Sequence, residues 1–416
     1  MNHMTPKFEL DPLQDPLDAL LVDIAVRVQL PPGLHAKACA RGEAVCKFLE
    51  RPGSPLQDRV LRFYPQGSMR IDSTTSTRGT DEEYDLDYVA ELDLPHLAPP
   101  GAVLDLVHEA LRGYPTEKPV ERQTRCVTVP FADGMHVDLT PSVLLPSAWK
   151  ERESHIFHAN PDKPVHEHKH VPMNAWGFAD WYNERTPLER RFAEAFNRRL
   201  YEVRGLEVRA DADFHEVPEQ VPLIVKSVTT VALQLLKRHR NVIYADYAGR
   251  IPPSVMMSCL AGHFASPGAK LSDMVIRLAR AIARTIHLAS ARREKVSVVN
   301  PVYEADRFTD RWPENIAQQD EYATHLTTLA NGLEAIRRGI ELEDAQDWLR
   351  SQFGGQVVSR SIKAFNRRLG GSIKHGGQGY TPRGGLYVPS APALVGIGSA
   401  ATPATARPHT FMGDRR

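Results

Sequence analysis

The chain reads as an α+β protein: a mixed sheet flanked by helices in the first half, then a mainly helical C-terminal lobe. Two observations predict this. Segments with the apolar, β-branched and aromatic character of strands fall between residues 59 and 140, while the stretches before and after them carry the 3.6-residue period of helices. Length and composition agree: 416 residues suit two or three domains, and 42% hydrophobic with 25% charged residues is ordinary for a soluble globular protein.

Residues 15–30 place Leu17, Leu20, Leu21, Ile24 and Val28 on one helical stripe. It opens on an Asp cap and is stopped at Pro31-Pro32-Gly33. With a second helix over 34–50 this predicts a helical hairpin packed on the sheet. Cys39 and Cys46, seven apart, share a face of that second helix. A strand over Arg59-Val-Leu-Arg-Phe-Tyr64 enters a turn at Pro65, where Gly67 permits close backbone approach and Ser68 offers a hydroxyl. The next strand covers 84–92. Alternation puts Asp85 and Asp87 on one face, roughly 6.6 Å apart, and turns Leu86 and Tyr88 toward a covering helix. Val103, Val107, Ala110, Leu111 and Tyr114 mark a third helix.

Residues 125–131 and 135–140 form a hairpin about Asp133-Gly134, a pair in which both positions tolerate positive φ. Its return strand turns His136, Asp138 and Thr140 to one face. Residues 151–174 lack periodicity and read as a long surface loop. Helices follow over 218–240, 271–293 and 319–338. From about residue 369 the chain turns to Gly, Ser, Pro and Ala, which suits a mobile, mildly basic tail with Lys374, Arg383, Arg407, Arg415 and Arg416. The division is therefore 1–215 as a core with N-terminal helices, 216–368 as a helical lobe, and 369–416 as the tail. Ala-Phe-Asn-Arg-Arg-Leu occurs at 195–200 and again at 364–369; unmatched flanks make this a coincidence of two amphipathic helix ends.

The chemistry lies in Gly67-Ser68, Asp85, Asp87 and Asp138. A triphosphate needs backbone and hydroxyl donors at its leaving end. Two divalent cations about 3.5–4 Å apart need several carboxylates at one point. Singly, a Gly-Ser turn or an Asp-x-Asp pair says little. Three acids on otherwise apolar strands, where Asp is depleted, say much more. Residues 69–84, with Ser73-Thr-Thr-Ser-Thr-Arg-Gly-Thr80, form a long hydroxyl-rich loop that suits either phosphate or solvent.

These residues resemble the nucleotidyltransferase superfamily of DNA polymerase β type, and more narrowly the cGAS/DncV-like nucleotidyltransferases (CD-NTases) of bacterial CBASS antiphage defence, relatives of the oligoadenylate synthases. Tyr64-Pro-Gln-Gly-Ser-Met-Arg70 is like the family's Gln-Gly-Ser turn, and His136-Val-Asp-Leu-Thr-Pro-Ser142 like its third-Asp strand. Pro172-Met-Asn-Ala-Trp-Gly-Phe-Ala-Asp-Trp181, Asn300-Pro-Val and Phe308-Thr-Asp-Arg-Trp312 also match. The resemblance implies a bilobed polymerase-β-like core with an oligoadenylate-synthase-like C-terminal part, making a cyclic di- or trinucleotide from ATP and/or GTP with release of pyrophosphate. It implies two Mg²⁺ ions, with Mn²⁺ as a substitute, held by Asp85, Asp87 and Asp138. Gln66, Gly67 and Ser68 then bind nucleotide, as do Lys237 of Ala232-Leu-Gln-Leu-Leu-Lys-Arg-His-Arg240 and Ser254 of Ile251-Pro-Pro-Ser-Val-Met-Met257. The implied partners are NTP substrates, a downstream effector reached through the product, and regulatory proteins.

Balanced charge, 51 basic against 51 acidic residues, argues for mononucleotide substrates over obligatory nucleic acid. No apolar run approaches a membrane span, four scattered cysteines suit reduced thiols, and the N-terminus lacks a signal-peptide core, so a cytoplasmic protein is expected. His155, His158, His166, His168 and His170 crowd one stretch; zinc and a solvated loop near the site are the two readings, the second the plainer. Arg277, Arg280, Arg284, Arg292 and Arg293 suit a solvated helix face or an acidic partner more than an RNA patch. Tyr88 and Trp181 suit core packing more than base stacking. Two other functions compete: a linear oligoadenylate or RNA-tailing transferase, and a nucleotide-binding sensor without catalysis. The sensor is disfavoured because clustered carboxylates repel without cations.

Overall fold

The computed structural model describes residues 12–30, 32–75, 85–146, 152–210, 226–339, 342–374, 379–380 and 386–387. The sheet is mixed. Strands β1 (Val60–Pro65), β2 (Asp85–Leu92), β3 (Glu121–Arg122), β4 (Val127–Pro130) and β5 (His136–Leu144) lie in the order β1-β2-β5-β4-β3. β2 and β5 run parallel, and β1 and β4 flank them antiparallel. In the β4–β5 hairpin Gly134 takes φ 82°, while Asp133 is not among the positive-φ residues. Its carboxylate instead accepts from Lys37 at 2.6 Å and Arg41 at 2.8 Å.

Residues 151–174 depart from expectation. They hold β6 (Ser154–His158) and β7 (Lys169–Met173), an antiparallel pair that extends the sheet from the far end of β5. Five-residue strands rich in histidine carry no apolar alternation to read. Their pairing rests on backbone bonds and on His155 and Phe157 of β6 packing against His170 of β7.

One sheet face is covered as expected by Leu86 and Tyr88. The helices that cover it are α2 (Pro32–Leu49) and, beyond α1 (Pro16–Val28) and the short α3 (Gly67–Arg70), α4 (Pro100–Ala110), through Ala38, Val45, Leu49, Val103, Leu104 and Val107. The expected α1–α2 hairpin on the sheet does not form. α1, capped by Asp15 accepting from Leu17 N at 3.0 Å, sits in a second, helical core. Its buried residues run round the whole circumference (Leu17, Ala19, Val22, Ile24, Ala25), the mark of a central helix rather than one with a single apolar stripe.

That core is completed by α5 (Ala175–Arg185), α6 (Arg190–Ala210), α7 (Val228–Ile243), α8 (Ser254–Phe264), α9 (Leu271–Ala291), α10 (Ile316–Arg337), α11 (Leu342–Phe353) and α12 (Gly355–Lys374). A hairpin of β8 (Val299–Asn300) and β9 (Tyr303–Arg307) lies between α9 and α10 in the chain. α12 runs past residue 369, where the tail was expected, and β10 (Gly379–Tyr380) pairs with β11 (Leu386–Tyr387); the remainder of that tail, and residues 218–225, lie outside the described residues.

The repeated Ala-Phe-Asn-Arg-Arg-Leu is more than coincidence in space. Arg199 and Arg368, the fifth residue of each copy, both pair with the fully buried Asp23 of α1. Among the described residues no helix is long and apolar enough to cross a membrane.

Candidate active site

The turn after β1 is fixed by close approach to β2. Gln66 N donates to Asp87 O at 2.8 Å. Gly67 follows with φ 54°, and a Cβ there would stand 3.1 Å from Asp87 Oδ2. Both facts favour glycine. Ser68 accepts from Thr74 Oγ1 at 3.3 Å, and Ser68 O accepts from Ser73 N at 2.9 Å, so the start of the hydroxyl-rich loop folds back over the turn. Residues 76–84 of that loop lie outside the described residues.

Helix α7 braces it. Gln234 Nε2 donates to Thr74 O at 3.0 Å, and one turn on Lys237 Nζ donates to Ser73 O at 2.8 Å. One turn further, Arg240 Nη1 donates to Ser254 Oγ and to Pro252 O, each at 2.8 Å. Residues three apart on a helix share a face, so one stripe of α7 meets the loop and then the start of α8. The result is a cavity of about 270 Å³ lined by Gly67, Ser68, Thr74, Asp87, Lys237 and Ser254, with Arg240, Asn241 and Ser258. Sequence reasoning missed the last three. Arg240 was findable, standing three residues beyond Lys237 within a segment already singled out.

Asp87 and Asp138 are register partners on parallel strands, so their side chains share the sheet face opposite the covering helices. Thr128 Oγ1, from the other neighbour of β5, donates to Asp138 Oδ1 at 2.5 Å. Burial raises the Asp138 carboxyl, and the Thr128 bond offsets part of that. The Cys126 thiol is pushed up to about 12 by burial, then by Asp138 and Asp87, which marks the space between them as acidic. Asp85 opens β2 beside His136, and its side chain lies outside the described residues. Among those residues no three His, Cys, Asp or Glu gather as a metal site.

A second cavity of about 260 Å³ shares Gly67, Asp87, Phe178 and Val255 with the first. Gln66 faces this one, its Nε2 donating to Thr140 Oγ1 at 3.2 Å. The remaining wall includes Arg125, Met173, Asp306, Phe308 and Asp310. Asp306 Oδ2 accepts from Asn174 N at 3.0 Å and from Asn300 Nδ2 at 2.9 Å, and burial pushes its carboxyl up to about 6. Arg125 pairs with Asp310, and Phe308 packs edge-on against Phe178 at 4.9 Å.

The other candidates stay outside both cavities. His170 and His168 turn ring nitrogens to Ala98 O and Asn160 O at 3.0 and 3.2 Å, and His158 lies 3.3 Å from Arg125 Nε. Tyr88 stacks on Phe63 in the sheet core, and Trp181 packs on Phe178 and His263. Arg280 pairs with Glu334 through both nitrogens of its fork, at 2.7 and 2.9 Å.

Residues 61–141 match the family described as cyclic GMP-AMP synthase DncV-like, nucleotidyltransferase domain. The chain is 57% identical over 407 residues to the cyclic dinucleotide synthase CdnG of Bradyrhizobium diazoefficiens, covering 98% of this chain and 97% of that one. It is 20% identical over 351 residues to the c-di-GMP synthase of Roseivirga ehrenbergii, 84% and 87% of the two chains. The structure of the B. diazoefficiens CD-NTase CdnG in complex with GTP aligns with a TM-score of 0.77, covering 86% of this chain and 100% of that one.

Proposed function

This chain belongs to the DncV-like nucleotidyltransferases, and from that premise we propose that it joins GTP and a second nucleoside triphosphate into a cyclic dinucleotide, releasing two pyrophosphates. The observation that carries the reading is that two cavities open on the same Gly67 and Asp87. Transfer between two nucleotides needs both held at one point, and that positioning lowers the barrier. The donor lies in the first cavity. Lys237 and the Ser68 and Thr74 hydroxyls hold its triphosphate, and Ser254, already accepting from Arg240, keeps its own O–H to donate. The accepting nucleotide lies in the second cavity with its ribose hydroxyl toward Asp87.

The acids fit hard cations. The ligand set is all oxygen, and burial disfavours the Asp138 anion unless positive charge joins it. Asp85, Asp87 and Asp138 would hold two Mg²⁺ or Mn²⁺ ions, which when bound lower the pKa of the attacking hydroxyl and neutralise the leaving pyrophosphate. The two relatives, a cyclic dinucleotide synthase and a c-di-GMP synthase, support a dinucleotide ring. The GTP bound to the CdnG relative supports GTP as a substrate. We read the product as a cytoplasmic signal in antiviral defence, acting through an effector and under the control of regulatory proteins, as the family resemblance suggests.

Protein incubated with all four NTPs and Mg²⁺ or Mn²⁺ is expected to give a short, phosphatase-resistant product by mass spectrometry, with GTP consumed. Asp87→Asn is expected to fold and to lose product formation by at least about 10³-fold. Phosphatase-sensitive linear chains would overturn cyclisation, and nucleotide binding without pyrophosphate release would overturn catalysis.

A further inference from the structure

The second cavity carries a buried carboxylate that the transfer chemistry does not use. Asp306 is 7% exposed and lines this wall. Both of its hydrogen bonds fall on Oδ2, from Asn174 N and Asn300 Nδ2. Among the described residues none falls on Oδ1. The two amides fix the carboxylate plane and leave one anionic acceptor for whatever enters. Asp310 adds a second acid to the same wall, turned partly to Arg125.

A carboxylate at that place discriminates between bases. The Watson–Crick edge of guanine sets two adjacent N–H donors, N1 and the 2-amino group, side by side. Adenine and cytosine each place a lone pair next to their amino group, and uracil flanks its one N–H with two carbonyl oxygens. Only guanine meets an acceptor wall without setting a lone pair against a negative charge.

We propose that Asp306 selects guanine as the base of the nucleotide that accepts the transfer, by taking its N1–H and 2-amino donors on Oδ1. This rests on the reading of the second cavity as the acceptor site. A specificity-setting bond of this kind is worth roughly ten- to a hundredfold between bases.

The test isolates the acceptor. A 2′,3′-dideoxynucleoside triphosphate can give its nucleotidyl group but not accept one, so dideoxy-GTP or dideoxy-ATP serves as donor. GTP, ITP and ATP compete as acceptors, and the linear dinucleotides are resolved by mass spectrometry. The native chain is expected to use GTP about ten- to a hundredfold better than ATP, with ITP, which lacks only the 2-amino group, between them. Asp306→Asn keeps an oxygen for the two amides and sets an NH₂ where Oδ1 stood; its GTP-to-ATP ratio is expected to fall at least about tenfold. A folded Asp306→Asn with the native ratio overturns the proposal. Equal use of the three acceptors by the native chain also overturns it, because it would mean that Asp306 holds the common ribose. That arm decides the matter alone if the variant melts early. No dinucleotide from any pair would instead overturn nucleotidyl transfer itself, and this inference with it.

Discussion

Single residues decide the geometry of the proposed transfer point. Gly67 sits at φ 54° with Asp87 Oδ2 where a Cβ would press. Gly67→Ala therefore costs about 1–2 kcal/mol of backbone strain and displaces the carboxylate. Turnover is expected to drop about a hundredfold while the melting temperature falls only a few degrees, a split that steady-state kinetics and calorimetry would resolve. Asp306 gives a pH signature. Its folded value of about 6 lies above the ordinary carboxyl value of 3.8, so the fold disfavours its ionised form. The penalty is absent below the unfolded value, grows as pH rises toward 6, and is fully present above it, on the order of 2–3 kcal/mol. Asp306→Asn, which cannot ionise, is expected to unfold at higher urea than the native chain at pH 7.5, with the gap closing near pH 4.

Among elements, α7 and α1 carry the organisation. α7 sends Gln234, Lys237 and Arg240 along one stripe to two segments, residues 73–74 and the start of α8. α1 is the post to which both Ala-Phe-Asn-Arg-Arg-Leu copies attach. Removing the Asp23 carboxylate leaves Arg199 and Arg368 without their shared partner in a closed interior. Asp23→Ala is expected to lower unfolding stability by about 3–5 kcal/mol, whereas Arg368→Ala, at a side chain 18% exposed, should cost less by urea titration. Much of this level was legible. The strands bearing Asp87 and Asp138 announced themselves by alternation, and the Asp133-Gly134 turn marked the β4–β5 hairpin that carries Asp138. The β6–β7 pair did not, because its apolar residues do not alternate with polar ones and histidines fill the rest. The seat of α1 was hidden for another reason: an apolar stripe says that a helix is buried but not against what. The Asp23 pairings, 176 and 345 residues long, have no local trace at all, and neither does Asp306, whose cavity is assembled from segments spread between residues 66 and 310.

For the whole molecule, the site lies where the sheet and the helical core meet. Asn174 at the end of β7 is tied to Asn300 and Asp306 on the β8–β9 hairpin, and the turn after β1 is tied to α7. Nucleotide bound there as proposed would touch both cores. GTP at a hundred times its dissociation constant is expected to add about 2.7 kcal/mol to stability, with both cores shifting together; calorimetry showing one core raised and the other unmoved would contradict the shared seam. The place of α1 also sets a timetable. It is made before the sheet, yet Arg368, which clasps its Asp23, follows 345 residues later. At 5–20 residues per second that interval is about 17–70 s. Throughout it, a helix destined for burial on nearly every side waits on the ribosome for partners not yet translated. Gln29, which bridges to Thr75 in the hydroxyl-rich loop, waits with it, so a nascent chain carries the strands of the candidate site well before the helical core that braces them is complete.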